Sequence, residues 1–365
     1  MKSGNGGLRK MDIRELKSSD KSEIDKILSL HNSTYKENRT HKQWLWEYKS
    51  NYPELFVFSV IEDDRRIVGS QAMIPIYINI NGKKYLSGKS ENSLLDPKYR
   101  GRSLFENLYE FAMLKCYERK MCCVWGYTSA VRVWRNKLGF SVFDTLYEST
   151  LVLNLQHTFS EINKSNWKMR KKIKTYFFAV LGYVYSFKRV FRRAKKRYSI
   201  ENKLRSIDDL DKLYTDLRKK SPKLIHISQD MKYINWRIYN NPNIEYETYF
   251  LYENNKLKGY CYAGIKNKTV SLTDFTFENV EAGTFLLSHL LKKWKKDIGF
   301  VLFFGNISNP LIYNIFNLLK QFGFVKRKHS NAIVIKNIRY KSESILYDVK
   351  NWYMNKLWTE GFHIR

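Results

Sequence analysis

One structural plan is written twice in this chain, and that bounds the fold more tightly than any single motif. The run "INWRIYNNPNIEYETYFLYENNKLKGYCYAG" (234–264) echoes "WLWEYKSNYPELFVFSVIEDDRRIVGSQA" (44–72). Each copy reads as a Trp-centred aromatic helix, a proline, a strand, a polar turn and a glycine-containing strand. "FLLSHLLKKWKKDIGFVLFFGNISNPLIYNIFNLLKQFGF" (285–324) echoes 105–140, and both copies close on Gly-Phe, at Gly139-Phe140 and Gly323-Phe324. A repeat of about 170 residues is too long for a solenoid unit and predicts two similar domains. With 365 residues, 43% of them hydrophobic, each half can bury a core of its own. The alternation of strands and helices predicts an α/β (α+β) architecture in each domain. The expected boundaries are a polar tail at 1–10, a first domain at 11–154, a linker at 155–199 that matches neither copy, and a second domain at 200–365.

Within the first half, Ser19-Asp20 opens a helix over 20–31, and two strands flank a turn at Glu62–Arg66. "KKYLSGKSENSLLD" is a further strand. The next helix buries Phe105, Leu108, Ala112 and Cys116 at spacings of three and four. "CCVWGYTS" is a short buried strand, a helix covers 129–137, and "VFDTLYESTLVLNL" closes the half with another strand. The aromatic segments "HKQWLWEY" and "YINWRIY" read as core, with the lining of an acceptor cleft between the two domains as the alternative.

Several chemistries find no support. Cys116, Cys122, Cys123 and Cys261 form no CxxC pair and sit in apolar stretches, as buried free thiols of a reducing compartment do. The histidines give no metal-ligand spacing. Neither Cys122 nor Cys123 has a His partner for nucleophilic catalysis. No apolar run reaches the roughly 18 residues that a spanning helix needs. The opening MKSGNGGLRK lacks the apolar stretch of a signal peptide. A cytoplasmic location is expected, with contact to the inner face of the membrane through the linker. There Phe177, Val180, Leu181, Val184, Phe187 and Phe191 form a helical stripe, and Lys171, Lys172, Lys174, Lys188, Arg189, Arg192 and Arg193 crowd its ends. That pattern over 168–197 describes a helix in an anionic membrane interface, or a hairpin with a solvated basic edge. The net charge of +30, from 65 Lys+Arg against 35 Asp+Glu, points to an anionic partner, although a lysine-rich composition contributes to it as well.

The motif that carries chemistry is "LLDPKYRGRSLFENL" (94–108). It places Arg-Gly-Arg at the mouth of a helix, where unpaired N–H groups and a partial positive charge disfavour cations. A diphosphate resolves the conflict. N–H groups from Gly101 to Phe105 would face it, Arg100 and Arg102 would add charge, and Gly101 would let the backbone come close. The second half has the acidic "DFTFENVEAGTF" (274–285) at this place, so only the first half is expected to hold a polyanion.

This stretch resembles the acyl-CoA-binding motif of the GNAT acyltransferase superfamily, apolar-x-Pro-x-x-Arg-Gly-x-Gly-x-Gly/Ala. Leu95, Pro97, Arg100, Gly101 and Arg102 fit it, while Ser103 stands where Gly is usual and Phe105 where Gly or Ala is usual. "KLGF" (137–140) is similar to the end of the family's fourth helix. Two such units with a basic linker look like tandem-GNAT proteins of bacterial surface-polysaccharide synthesis, and this resemblance implies two tandem GNAT-like domains, each a mixed, mostly antiparallel twisted sheet flanked by helices. The C-terminal "NWYMNKLWTEGFHIR" resembles the Trp-Thr-x-Gly-Asp ending of some of them, with Phe362 in place of Asp.

The resemblance implies acetyl-CoA as co-substrate, no metal and an amine acceptor. It implies that strands 86–95 and 121–127 splay apart around the pantetheine, with a backbone N–H near Leu94–Leu95 as oxyanion donor. The amides of Ser103, Leu104 and Phe105, with the Ser103 hydroxyl, would bind phosphate. Glu91 would accept the amine proton, or is a half-exposed strand residue paired with a lysine. The family often has a Tyr where Arg135 stands here, and Tyr127 is the nearest replacement, unless it is an aromatic strand cap. Thr128 takes the place of a frequent Asn on the coenzyme, and Ser129 is expected to cap the next helix. Three functions follow: an N-acetyltransferase for an amino sugar or surface-polysaccharide precursor, a Fem-type transferase taking an amino acid from tRNA, or a catalytically degenerate CoA-binding scaffold.

Overall fold

The computed structural model describes residues 11–361 except 18, 50, 165–168, 170–172, 174–175, 177–179, 181–196 and 360. The interfacial helix expected over 168–197 falls almost wholly outside the described residues. In chain order the elements are β1 (Asp12–Glu15), α1 (Lys21–Tyr35), α2 (His41–Lys49), β2 (Val57–Asp63), β3 (Arg66–Ile80), β4 (Lys83–Leu95), α3 (Leu104–Glu118), β5 (Cys123–Thr128), α4 (Val131–Asn136) and β6 (Ser141–Phe143). There follow β7 (Leu146–Val152), α5 (Leu155–Lys164), β8 (Ser199–Glu201), α6 (Ile207–Lys220), β9 (Ile225–Ile227), α7 (Met231–Ile234), β10 (Glu245–Glu253), β11 (Lys256–Lys266) and β12 (Thr269–Phe277). The last are α8 (Val280–Trp294), β13 (Phe300–Asn306), α9 (Pro310–Gln321), β14 (Val325–Lys328), β15 (Ala332–Asn337) and α10 (Glu343–Tyr347).

Hairpin chemistry explains why the plan repeats. Both central residues have positive φ at Asp64-Arg65, Asn81-Gly82, Asn254-Asn255 and Asn267-Lys268. That is the geometry of the tight turn whose twist matches that of paired strands. Two such turns make β2–β3–β4, and two make β10–β11–β12. Parallel pairing then follows in each copy. Gly88–Lys89 of β4 pair with Val124–Trp125 of β5, and Thr269–Ser271 of β12 with Phe300–Leu302 of β13. The helix between each parallel pair supplies the crossover that such pairing needs.

The first sheet runs β1-β2-β3-β4-β5-β15-β6, with β9 paired to β3, and the second runs β14-β7-β13-β12-β11-β10-β8. The chain divides into two compact units. One comprises residues up to Tyr77, 85–142 and 333–343; the other comprises 78–84, 143–332 and 344–365. The strand expected in "VFDTLYESTLVLNL" is therefore two strands with different neighbours. β6 stays in the first sheet, while β7 pairs with β13 from Leu146↔Asn306 to Val152↔Phe300. In exchange β15, from far along the chain, lies between β5 and β6. Alternation identifies a strand but not the neighbour it will pair with.

Local signals account for the rest. Asp20 caps α1 by accepting from the Ser22 N–H at 2.8 Å. The helix continues past the expected residue 31 to Tyr35, where Lys36 turns left-handed (φ 55°) and its N–H returns to the Asn32 carbonyl. The Trp-centred helix expected in the second copy is short: α7 passes at once into a wide turn over Asn235–Tyr239. Trp44, Trp46 and Tyr48 are buried, as are Tyr233 and Trp236, which makes both aromatic segments core. All four cysteines are free and buried. No helix among the described residues is long and apolar enough to cross a membrane.

Candidate functional site

The Pro97–Tyr99 turn and the start of α3 meet at the end of β4. Asp96 builds the corner by accepting from the Lys98 N–H at 3.0 Å, while Arg66 binds its other oxygen at 2.7 Å. Gly101 then takes φ +81°, and a Cβ added there would have nothing within 4 Å. Ser103 is also left-handed (φ 55°, ψ 13°) and makes no side-chain capping bond to α3. The backbone bonds at this junction run from Arg100 N–H to Pro97 and from Asn107 N–H to Ser103. Among the described residues nothing accepts from the N–H groups of Gly101–Phe105, the unpaired donors of a helix start. Arg100, Gly101, Arg102 and Ser103 are exposed, and the Arg102 guanidinium lies 5.8 Å from the Tyr99 ring centre. Leu104 and Phe105 are half-buried, and their side chains pack with Leu95 and Leu108.

The pairing of β4 with β5 ends at Lys89–Trp125, so the next residues of β4 present an open edge. Asn92 breaks the strand's alternation with φ 52°, held by a 3.3 Å bond from its amide to Ser70. The extra residue acts as a bulge. It lets Ser90 and Ser93, three positions apart, both reach the buried Tyr109 hydroxyl of α3, at 2.6 and 3.0 Å. Gln71 closes this ring of bonds with Ser90 at 3.0 Å and Ser93 at 2.6 Å. Burial raises the Tyr109 pKa well above the usual phenol range, so its hydroxyl stays protonated and locks β4 onto α3.

Backbone alternation decides which amide faces the opening. The Asp96 N–H crosses to the Val68 carbonyl of β3 at 2.8 Å. With a period of two, the Leu94 N–H also faces β3, while the peptide groups of Ser93 and Leu95 face the open side. Of the expected pair, Leu95 rather than Leu94 can offer its N–H there. Both side chains are buried.

Glu91 is half-buried on the other face of β4 and forms an ion pair with Lys89, itself only 2% exposed. Tyr127 is half-buried near the end of β5. Thr128 is buried, and its hydroxyl accepts from the Ala130 N–H at 3.0 Å. This corrects the expectation for Ser129, which is exposed: the residue at the helix start is Ala130, and Thr128 satisfies its amide.

A residue that sequence reasoning missed stands over this edge. The Tyr35 hydroxyl donates to the Ser93 carbonyl at 3.5 Å, across 58 positions, with its ring 4.9 Å from His31. Partial burial and then the nearby Glu91 raise its pKa, while Arg100 works against them. An aromatic at the end of an amphipathic helix carries no sequence signal of such a role.

Residues 12–143 match the acetyltransferase (GNAT) domain family. Solved structures match over both units. A protein of Enterococcus faecalis V583, described as a probable N-acyltransferase, superimposes with a TM-score of 0.63 at 9% identity, over 91% of this chain and 74% of the other. A GCN5-related N-acetyltransferase of Anabaena variabilis gives 0.60 at 11%, over 90% and 73%. A tandem GNAT protein from the clavulanic acid biosynthesis pathway gives 0.55 at 10%, over 90% of this chain and 99% of the other. The chain has the tandem GNAT fold. No curated protein matches it in sequence. The two copies differ at the junction that matters, because α8 starts with Asn279 accepting from the Ala282 N–H at 3.0 Å whereas α3 starts uncapped.

Proposed function

We propose that the chain is an acyl-CoA-dependent N-acetyltransferase whose acceptor is the amine of an amino sugar or related surface-polymer precursor. The observation that carries this reading is the uncapped, left-handed start of α3 beside an open edge of β4. Five amides at that turn would take the diphosphate, with Arg100 and Arg102 adding charge. The Leu95 N–H would take the carbonyl oxygen of the bound acyl group and the charge that develops on it. The coenzyme supplies an acetyl thioester. In the transfer a C–N bond forms, the C–S bond breaks, and the amine's proton leaves. Glu91 would receive that proton, directly or through water, and Tyr127 or Tyr35 would return one to the departing sulfur. An acceptor carried at an anionic membrane would account for the basic run at 168–197.

Calorimetric titration with acetyl-CoA tests the reading. Arg100→Ala should weaken binding about 10-fold, the equivalent of one charge-assisted bond of about 1.5 kcal/mol. Thiol release with a panel of amino sugars should identify the acceptor. Absence of acetyl-CoA binding together with binding of aminoacyl-tRNA would replace this reading with the Fem-type one.

A further inference from the structure

Both units contain a parallel strand pair that parts after two or three residues, and the second unit fills its gap from within. β12 and β13 pair from Thr269↔Phe300 to Ser271↔Leu302 and then diverge. The exposed edge of β13 is met by residues 352–355 near the end of the chain. The Asn306 N–H donates to the Met354 carbonyl at 2.9 Å, and Gly305 bridges Asn355 in antiparallel fashion. The Asn306 side-chain amide donates to the Val349 and Trp352 carbonyls at 2.8 and 2.9 Å. Gly305 admits this approach, since a Cβ there would stand 3.2 Å from the Met354 carbonyl oxygen.

The same segment reaches the β12 side. Asn355 Nδ2 donates to Asp274 Oδ1 at 2.8 Å, and the Tyr353 and Thr276 hydroxyls share a bond of 2.8 Å. The Tyr353 N–H donates to the Ile225 carbonyl at 2.8 Å. Trp352 and Met354 are 0% exposed and Asn355 is 1% exposed, so this is an interior element. A cavity of about 200 Å³ remains beside Tyr353, walled also by Phe277, Leu311 and Ile315.

We propose that residues 349–358 are the resident occupant of the second unit's cleft, closing it permanently to a coenzyme. On the reading of the first unit given above, an extended amide-bearing arm lies against the open edge of β4. In the second unit a peptide already occupies the matching edges and satisfies their polar groups. Removing it would leave the Asn306 N–H and side-chain amide without partners and take one of its four donors from buried Asp274, which makes displacement by a ligand costly. The chain therefore holds one coenzyme, in its first unit.

Two measurements on the full chain test this. Titration should give one equivalent of acetyl-CoA, and Arg100→Ala should weaken that binding about 10-fold with no second class of sites. Hydrogen exchange should show the Asn306 and Tyr353 amides exchanging only with global unfolding, whether or not acetyl-CoA is present. A second equivalent that survives Arg100→Ala would overturn the proposal. So would exchange of these amides by local opening, or its acceleration by acetyl-CoA. If no acetyl-CoA binds at all, the proposed function falls, and the exchange result still decides whether the segment is a fixed occupant.

Discussion

Gly101→Ala separates a glycine needed by the turn from one needed by a ligand. At φ +81° an alanine costs about 1–2 kcal/mol of backbone strain. No steric term is added, because nothing of the protein lies within 4 Å of the new Cβ. For a chain of 365 residues that strain lowers the melting temperature by about 1–3 °C, and the fold should survive. The methyl group would stand over the turn where the diphosphate is assigned, displacing it from at least one amide. Loss of one charge-assisted bond costs about 1.5–3 kcal/mol, so acetyl-CoA should bind about 10- to 100-fold more weakly. Ser103→Gly is the mirror case: it relieves a left-handed non-glycine residue, should raise stability by roughly 1 kcal/mol, and should weaken binding by no more than the one hydrogen bond of its hydroxyl, about 10-fold at most. Thermal melts and calorimetric titration of both variants are the assays. If Gly101→Ala melts lower but binds acetyl-CoA with unchanged affinity, the glycine serves only the turn, and the assignment of the phosphates to this junction is wrong.

Tyr35→Phe should lower kcat by about 10²-fold while leaving the KM for acetyl-CoA in place, as expected of a proton donor beside the reacting carbonyl. A steady-state assay showing only a raised acceptor KM would make Tyr35 a binding residue instead. Asn355→Ala should destabilise the second unit in a pH-dependent way. Burial raises the Asp274 pKa to about 6, against hydrogen bonds from Tyr260, Thr276, Gln229 and Asn355 that lower it. Between about pH 4 and 6 the folded chain keeps that proton while the unfolded chain has released it, so wild-type stability falls as pH rises through the window. Removing one donor raises the folded pKa further. The variant should therefore lose about 1 kcal/mol at pH 4 and about 2–3 kcal/mol at pH 8. Urea unfolding at the two pH values measures this, and an equal loss at both would mean that Asn355 does not support an ionised carboxylate.

Much of the site's first half was legible because it rests on short-range chemistry. A proline turn, a glycine and two arginines lead into an amphipathic helix in the sequence, and the structure adds that α3 begins without a side-chain cap. The edge that completes the site is another matter. Asn92 turning left-handed, Gln71 and Tyr109 closing a ring of bonds around Ser90 and Ser93, and Tyr35 reaching Ser93 are contacts between elements distant in sequence. Lys89 as the partner of Glu91 lies two residues away on the same strand face, and the period of two makes that pair readable.

Sequence alone determined the repeated plan, because turn residues and hydrophobic periodicity act within a few residues. Asn81-Gly82 and Asn254-Asn255 make tight hairpins whatever surrounds them, and Asp20 and Asn279 cap the helices that follow them. Only the tertiary structure decided which strands meet. The passage of β15 into the first sheet, β7 into the second, and residues 352–355 into the gap beside β13 depends on edges that exist only once the sheets have formed. Backbone hydrogen bonds carry no residue code, so an open edge takes whatever extended chain the fold brings to it.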